Sequence, residues 1–474
     1  MSALRRPNTA PAATDTPLAV VIGGGISGLV AARELALTGH RVVVAEAGAL
    51  GGRVTAHTVD SLVLDAGAES FATRNPSVSR LARELGLDVV LPSESPAWLH
   101  AGPGRDIPLP RTGIFGIPGD PLAADVVAAL GRPGAERAAE DLDLPVDPSL
   151  LKGNVSLGHL VRERLGQAAL DTLVAPVVSG VHSADPDVLD ADAIAPGLRA
   201  ALAREGSLCR AAASLRAAAP AGSAVAGLDG GMNTLTTALL EDLRERGVTL
   251  LDHTVIDTVE LAEGIWHVAS GTDTLEADRL VVATDGPTAV DLLAGSVPGL
   301  AALRPAKGAG VTLVTLVVDQ PVLDEAPRGT GVLVAPDATD VVAKALTHST
   351  AKWPWLAREA GPGRHAVRLS YGRTTDAAAR MADAKDAVLT KQAIADAAVL
   401  LGVPLSSADV LGSDVIRHPG ALPMATEGHR ALLDAAAVLL RGVEHLDVIG
   451  AWRSGTGLTP IVAATRAQLG ISAS

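Results

Sequence analysis

Leu18-Ala19-Val20-Val21-Ile22-Gly23-Gly24-Gly25-Ile26-Ser27-Gly28, continued by Arg41-Val42-Val43-Val44-Ala45-Glu46, holds the information from which the architecture can be read. An apolar run of strand length meets three glycines. Ile26 to Leu37 then carries apolar residues at the 3.6 period and stops at Gly39. Arg41 to Ala45 is a second β-branched run, so the whole is one βαβ unit and a parallel sheet begins here. In Gly23-x-Gly25-x-x-Gly28 the first glycine permits a tight turn and the second a close approach to a pyrophosphate. The third lets helix and strand pack closely, and the helix start offers N–H groups and a positive dipole, with Ile26 and Ser27 in that first turn. Glu46, at the tip of the second strand beside Ala47, is placed to accept hydrogen bonds from ribose hydroxyls.

Working outward, Gly51-Gly52-Arg53 adds a backbone patch and a guanidinium suited to phosphate. A plain nicotinamide domain does not need this second patch. Asp65-Ala66-Gly67-Ala68-Glu69-Ser70-Phe71 brings the chain back beside the same site, which makes Gly67, Ala68, Glu69 and Ser70 candidate cofactor contacts. Asp65 and Glu69 read more naturally as a turn carboxylate and a cap than as catalysts. Near the other end, Gly450 to Pro460 repeats strand, glycine turn and helix start, with Trp452, Gly457, Leu458, Thr459 and Ile461 as candidates. Val255 is the candidate from the middle of the chain. Two such sites suggest one long cofactor held at both ends, and the expectation is FAD. A helix N-terminus aimed at the pyrimidine side of a flavin would stabilise the negative charge that appears when N5 accepts a hydride.

The chain has 474 residues, enough for at least two cores. A net charge of −14 argues against a nucleic-acid partner, which requires clustered basic charge. A single cysteine, Cys209, excludes an intrachain disulfide or a cysteine-rich metal centre and fits a reducing cytoplasm. Histidines lack ligand spacing, so no metal is expected. No apolar run reaches transmembrane length and no secretory signal precedes the first strand; peripheral membrane contact and oligomeric state stay open.

The fold class expected is α/β, with a parallel sheet begun by the βαβ unit, a second sheet and a helical insert. Residues 1–16 read as a flexible lead-in. Segments 17–92, 222–300 and 412–474 are assigned to the FAD domain, 93–120 and 301–411 to the substrate domain and 121–221, broken by prolines, to the insert. Val59 to Leu64, Val255-Ile256, Val311 to Val318 and Val367 to Tyr371 read as strands, and Asp386 to Leu401 as a long helix.

With these residues in hand the chain resembles the protoporphyrinogen/coproporphyrinogen oxidase family of amine-oxidase-like flavoproteins. The narrower match lies in Gly67 to Phe71 with Arg74, Pro176 to His182, Glu205 to Leu208, Gly230 to Leu235, Ser349 to Pro354 and Gly428-His429. It departs from the family at His182, where an aromatic residue is usual. The resemblance implies a discontinuous FAD-binding Rossmann-like domain of the amine-oxidase/glutathione-reductase type with a second α+β substrate domain and a helical insert, six-electron oxidation of a porphyrinogen, O2 as electron acceptor and release of H2O2. It points more to coproporphyrinogen III than to protoporphyrinogen IX. Substrate-binding candidates are Arg74, as a propionate clamp, with His182 and Lys352. No residue stands out as an obligatory general base. A rival reading is an amine or polyene oxidase on the same frame, which an aromatic content of 2% disfavours. A flavin-free binding protein should lack the phosphate-side glycines and Arg53.

Overall fold

The computed structural model describes residues 16–110, 113–182, 184–218, 224–372, 381–423 and 428–470. Apart from Thr16, the N-terminal lead-in lies outside them. One sheet has five parallel strands in the order Thr249–Leu251, Arg41–Ala45, Leu18–Ile22, Arg279–Val282, Leu446–Val448. Its central strand is buried along its whole length, as an inner parallel strand must be when both faces are covered. Alternation sorts its side chains. Ala19 and Val21 face a core made with helices Ile26–Leu37, Asn233–Glu245 and Leu458–Gln468. Leu18, Val20 and Ile22 face a second core, where the antiparallel strands Thr258–Ala262, Ile265–Ser270 and Asp273–Ala277 contribute the fully buried Trp266.

The other large sheet is mixed and seven-stranded, in the order Val410–Leu422, Ala309–Asp319, Arg364–Tyr371, Ala345–His348, Gly331–Val334, Trp98–His100, Asp106–Pro108. The helix expected at Asp386 to Leu401 is present and packs on it. Between residues 124 and 217 the chain is a set of short helices around their own core. There the Arg164 guanidinium, 2.5 Å from Asp141, also donates to four backbone carbonyls. Asp141 in turn accepts from Ser207, Leu208 and Cys209, so every polar atom of this buried pair has work to do.

Two expectations fail locally. The single strand expected over Val59 to Leu64 is a hairpin, Ala56–Val59 against Leu62–Asp65, because Asp60 and Ser61 take positive φ and turn the chain back. Val255-Ile256 forms no strand. After Leu251 the backbone leaves the sheet, the Thr254 N–H donates to the Glu46 carbonyl, and extended pairing resumes only at Thr258.

Candidate cofactor and active site

The carboxyl ends of the five parallel strands define one rim, and the glycine turn sits on it. Gly23 donates to the Ala45 carbonyl, and its φ of +107° suits glycine. A Cβ on Gly28 would lie 1.8 Å from the Gly23 carbonyl oxygen, so helix and strand close only without one. Gly25 is different: it precedes helix Ile26–Leu37 at an ordinary φ of −78°, and a Cβ there would meet no atom within 4 Å. The space in front of Gly25 is therefore left for something other than the protein. Gly52 closes one side of it, since a Cβ on Gly52 would lie 3.3 Å from the Gly25 Cα.

Glu46 is fixed by two backbone donors, Gly24 at 2.7 Å and Gly48 at 2.8 Å, which leaves lone pairs on both carboxylate oxygens. Ala47 follows it directly. Val255 stands beside this corner with 54% of its surface exposed. It lies next to Thr254, which is bonded to Glu46, so the loop places it near Glu46 although it belongs to no strand.

Arg53 adds a positive charge to this rim. Burial lowers its pKa, and it has neither an ion pair nor a hydrogen bond to its side chain among the described residues. A desolvated guanidinium without an anion is costly unless a ligand supplies one. Among the described residues Thr236 Oγ1, whose methyl abuts Gly51, is buried without a partner, as is the indole nitrogen of Trp452, whose ring packs on Gly286. The C-terminal turn joins the same rim. Gly457 precedes helix Leu458–Gln468, Leu458, Thr459 and Ile461 are buried, and the Thr459 hydroxyl donates to the Ala72 carbonyl at 2.6 Å.

Loop 65–70 runs along this site and carries a charge cluster that the sequence only half discloses. Asp65 accepts from the backbone N–H groups of Met232 and Asn233 and so caps helix Asn233–Glu245; burial nevertheless raises its pKa. Burial works to raise the Glu69 carboxyl too. Arg368, Lys352 and the Ser349 hydroxyl outweigh it and hold the group below its ordinary value. Lys352 lies 3.7 Å from Glu69 and 5.1 Å from the Trp353 ring centre, with its own pKa lowered chiefly by burial. It is therefore already paired. Arg74 is exposed with no partner among the described residues, on the segment that Ala72 and Ser77 pin to Thr459. His182 closes helix Ala175–His182, and its side chain lies outside the described residues. Arg368 and His418, which engage this loop, were not foreseen; both come from long strands with no motif to mark them.

Residues 26–459 match the model of the flavin-containing amine oxidoreductases, and the chain belongs to that family. It is an FAD-dependent oxidoreductase. The coproporphyrinogen III oxidase of Mycobacterium bovis is 32% identical over 469 residues, 94% of each chain. The coproporphyrinogen III oxidase of Propionibacterium freudenreichii subsp. freudenreichii is 30% identical over 457 residues, 89% of this chain and 83% of that one. Among solved structures, a "Putative protoporphyrinogen oxidase" from Exiguobacterium sp. 255-15 superposes with a TM-score of 0.80 at 25% identity, covering 96% of this chain and 98% of that one. The open space before Gly25, with Arg53 and Thr236 Oγ1 unpartnered among the described residues, fits FAD. Among the described residues no group of side chains could hold a metal ion and no helix is long and apolar enough to cross a membrane.

Proposed function

We propose that the protein oxidises coproporphyrinogen III to coproporphyrin III in haem biosynthesis, working in the cytoplasm with O2 as electron acceptor and three H2O2 released per porphyrin. The observation that carries this reading is similarity along 94% of the chain to a coproporphyrinogen III oxidase. When bound, FAD supplies a two-electron acceptor that takes hydride from the porphyrinogen. In this reading the Gly23-Gly25-Gly28 turn and the start of helix Ile26–Leu37 bind the pyrophosphate, and Arg53 neutralises it. Glu46 holds the adenosine ribose and Val255 covers the adenine side. Gly67 to Ser70 and the start of helix Leu458–Gln468, from Gly457 to Ile461 with Trp452 before it, border the flavin ring.

Arg74 serves as the propionate clamp. It is exposed and unpaired among the described residues, whereas Lys352 would first have to leave Glu69. No side chain is assigned as an obligatory base: burial lowers the pKa of His418, the histidine nearest this loop, and its Nε2 already contacts the Ala66 carbonyl. Protons leave to solvent. Aerobic turnover of the purified protein, followed by porphyrin fluorescence together with O2 uptake, tests the assignment. Three O2 consumed per coproporphyrin is the expected outcome; porphyrin formation without O2 uptake would contradict the acceptor, and no porphyrin would contradict the substrate.

A further inference from the structure

Three consecutive carbonyls of loop 65–70 are taken by side chains of the seven-stranded sheet. Arg368, on strand Arg364–Tyr371, donates through Nη1 to the Gly67 carbonyl at 2.7 Å and the Asp65 carbonyl at 3.2 Å. Its Nη2 lies 3.2 Å from Glu69 Oε2. His418, on strand Val410–Leu422, contacts the carbonyl between them, that of Ala66, at 2.8 Å. In a trans peptide the C=O and the following N–H point in opposite directions. Pinning the Gly67 carbonyl toward Arg368 therefore aims the Ala68 N–H the other way, and it indeed reaches the Arg53 carbonyl. By the same argument, the contact at Ala66 turns the Gly67 N–H away from His418. The N–H groups of Gly67, Glu69 and Ser70 have no acceptor among the described residues. A loop with its carbonyls clamped on one side and free N–H groups left over is prepared for an electron-rich ligand.

We propose that Arg368 is a positioning residue for the flavin: by clamping loop 65–70 to the seven-stranded sheet it presents the loop's N–H groups to the cofactor and lends a fixed positive charge to the reduced state. The fork geometry matters as well as the charge, because one planar group spans two carbonyls and a carboxylate. Arg368 thereby links a strand outside the dinucleotide fold to the redox centre. The inference rests on the reading that loop 65–70 borders the flavin.

The test uses purified holoenzyme and two variants, Arg368→Met and Arg368→Lys, read by the FAD dissociation constant and by the flavin midpoint potential in dye equilibration. Loss of a charge-assisted hydrogen-bond set predicts FAD binding weakened about tenfold or more in both. The potential should fall in Arg368→Met and return toward that of the unmodified enzyme in Arg368→Lys, which keeps the charge. If Arg368→Met does not fold, Arg368→Lys decides through its FAD affinity alone. Unchanged affinity and unchanged potential overturn the proposal. A parallel Gly25→Val variant separates the two readings. If it retains FAD, the assignment of the cofactor site fails; if it loses FAD while the Arg368 variants match the unmodified enzyme, only the role of Arg368 fails.

Discussion

Gly25 shows how much one position can say about a ligand that belongs to the protein. Most glycines of the site are demanded by the fold itself, like Gly28 against the Gly23 carbonyl, but Gly25 has ordinary backbone angles and open space. A side chain there should leave the fold intact and obstruct only the cofactor. Gly25→Val is accordingly expected to keep the urea midpoint of the apoprotein while binding FAD at least about a hundredfold more weakly, through steric exclusion and loss of phosphate contacts worth about 3 kcal/mol. Measuring both quantities on one preparation checks this, and a variant that unfolds would place the glycine among the structural ones instead. At Arg74 the expectation is a split: Arg74→Ala should raise the KM for coproporphyrinogen III about tenfold and leave kcat little changed, as steady-state kinetics would reveal.

A third single-residue prediction concerns acid stability. His348 is fully buried; desolvation, then the neighbouring His365 with its ring nitrogen 3.1 Å away, push its pKa down to about 3. The unfolded chain takes up a proton near pH 6.5 that the native state refuses, so the unfolded state binds more protons between those two values. Stability from this group is complete above about pH 6.5 and falls as the pH drops, approaching about 1.4 kcal/mol per pH unit. Urea midpoints from pH 7 to pH 5 should decline less steeply in His348→Asn than in the unmodified protein. Equal slopes would show that His348 takes up its proton alike in the native and unfolded states.

Among the elements, the helices covering one face of the parallel sheet are tied by charge as well as by apolar contact. Arg33 on helix Ile26–Leu37 reaches Glu84 at 2.8 Å and Asp242 at 3.2 Å, and Arg466 on the closing helix reaches Glu34 at 2.8 Å and Glu84 at 2.6 Å. Four helices, two of them far apart in sequence, thus share one network with Arg33 and Glu34 buried. Removing Arg33 takes one counter-charge and its hydrogen bonds from Glu84 and Asp242, which keep Arg466 and Arg246 beside them, and this typically costs about 2 kcal/mol. Arg33→Met should lose that much in a urea titration, whereas Arg430→Met, in an exposed i,i+4 pair, should be within about 0.5 kcal/mol of the unmodified protein.

The elements also mark where sequence reading succeeds and stops. Strand Leu18–Ile22, its glycine turn and helix Ile26–Leu37 were legible because alternation, glycine spacing and the helical period agree locally. The hairpin at Asp60-Ser61 was not, because it carries no Asn-Gly or Asp-Gly signal and its second positive-φ residue is a serine where glycine is usual. At Val255 the β-branched pair Val255-Ile256 suggested a strand, but the Thr254 contact with Glu46 draws that backbone toward the cofactor rim.

For the molecule as a whole, the site is assembled from pieces that sequence order keeps apart. The Gly turn, Glu46, Arg53 and the turn before Leu458 announce themselves through motifs that a phosphate or a flavin requires. Arg368 and His418 do not: each is one polar residue in a long strand, and only the packing of the two sheets brings them within reach of Asp65, Ala66 and Gly67. Lys352 was visible as a candidate, but its pairing with Glu69 depends on the same tertiary contact. The most direct test of the whole account is anaerobic reduction of the purified FAD-bound protein by coproporphyrinogen III and by protoporphyrinogen IX in parallel, following the flavin absorbance. The account predicts bleaching by both, faster with the four-propionate substrate. Bleaching by neither would contradict it.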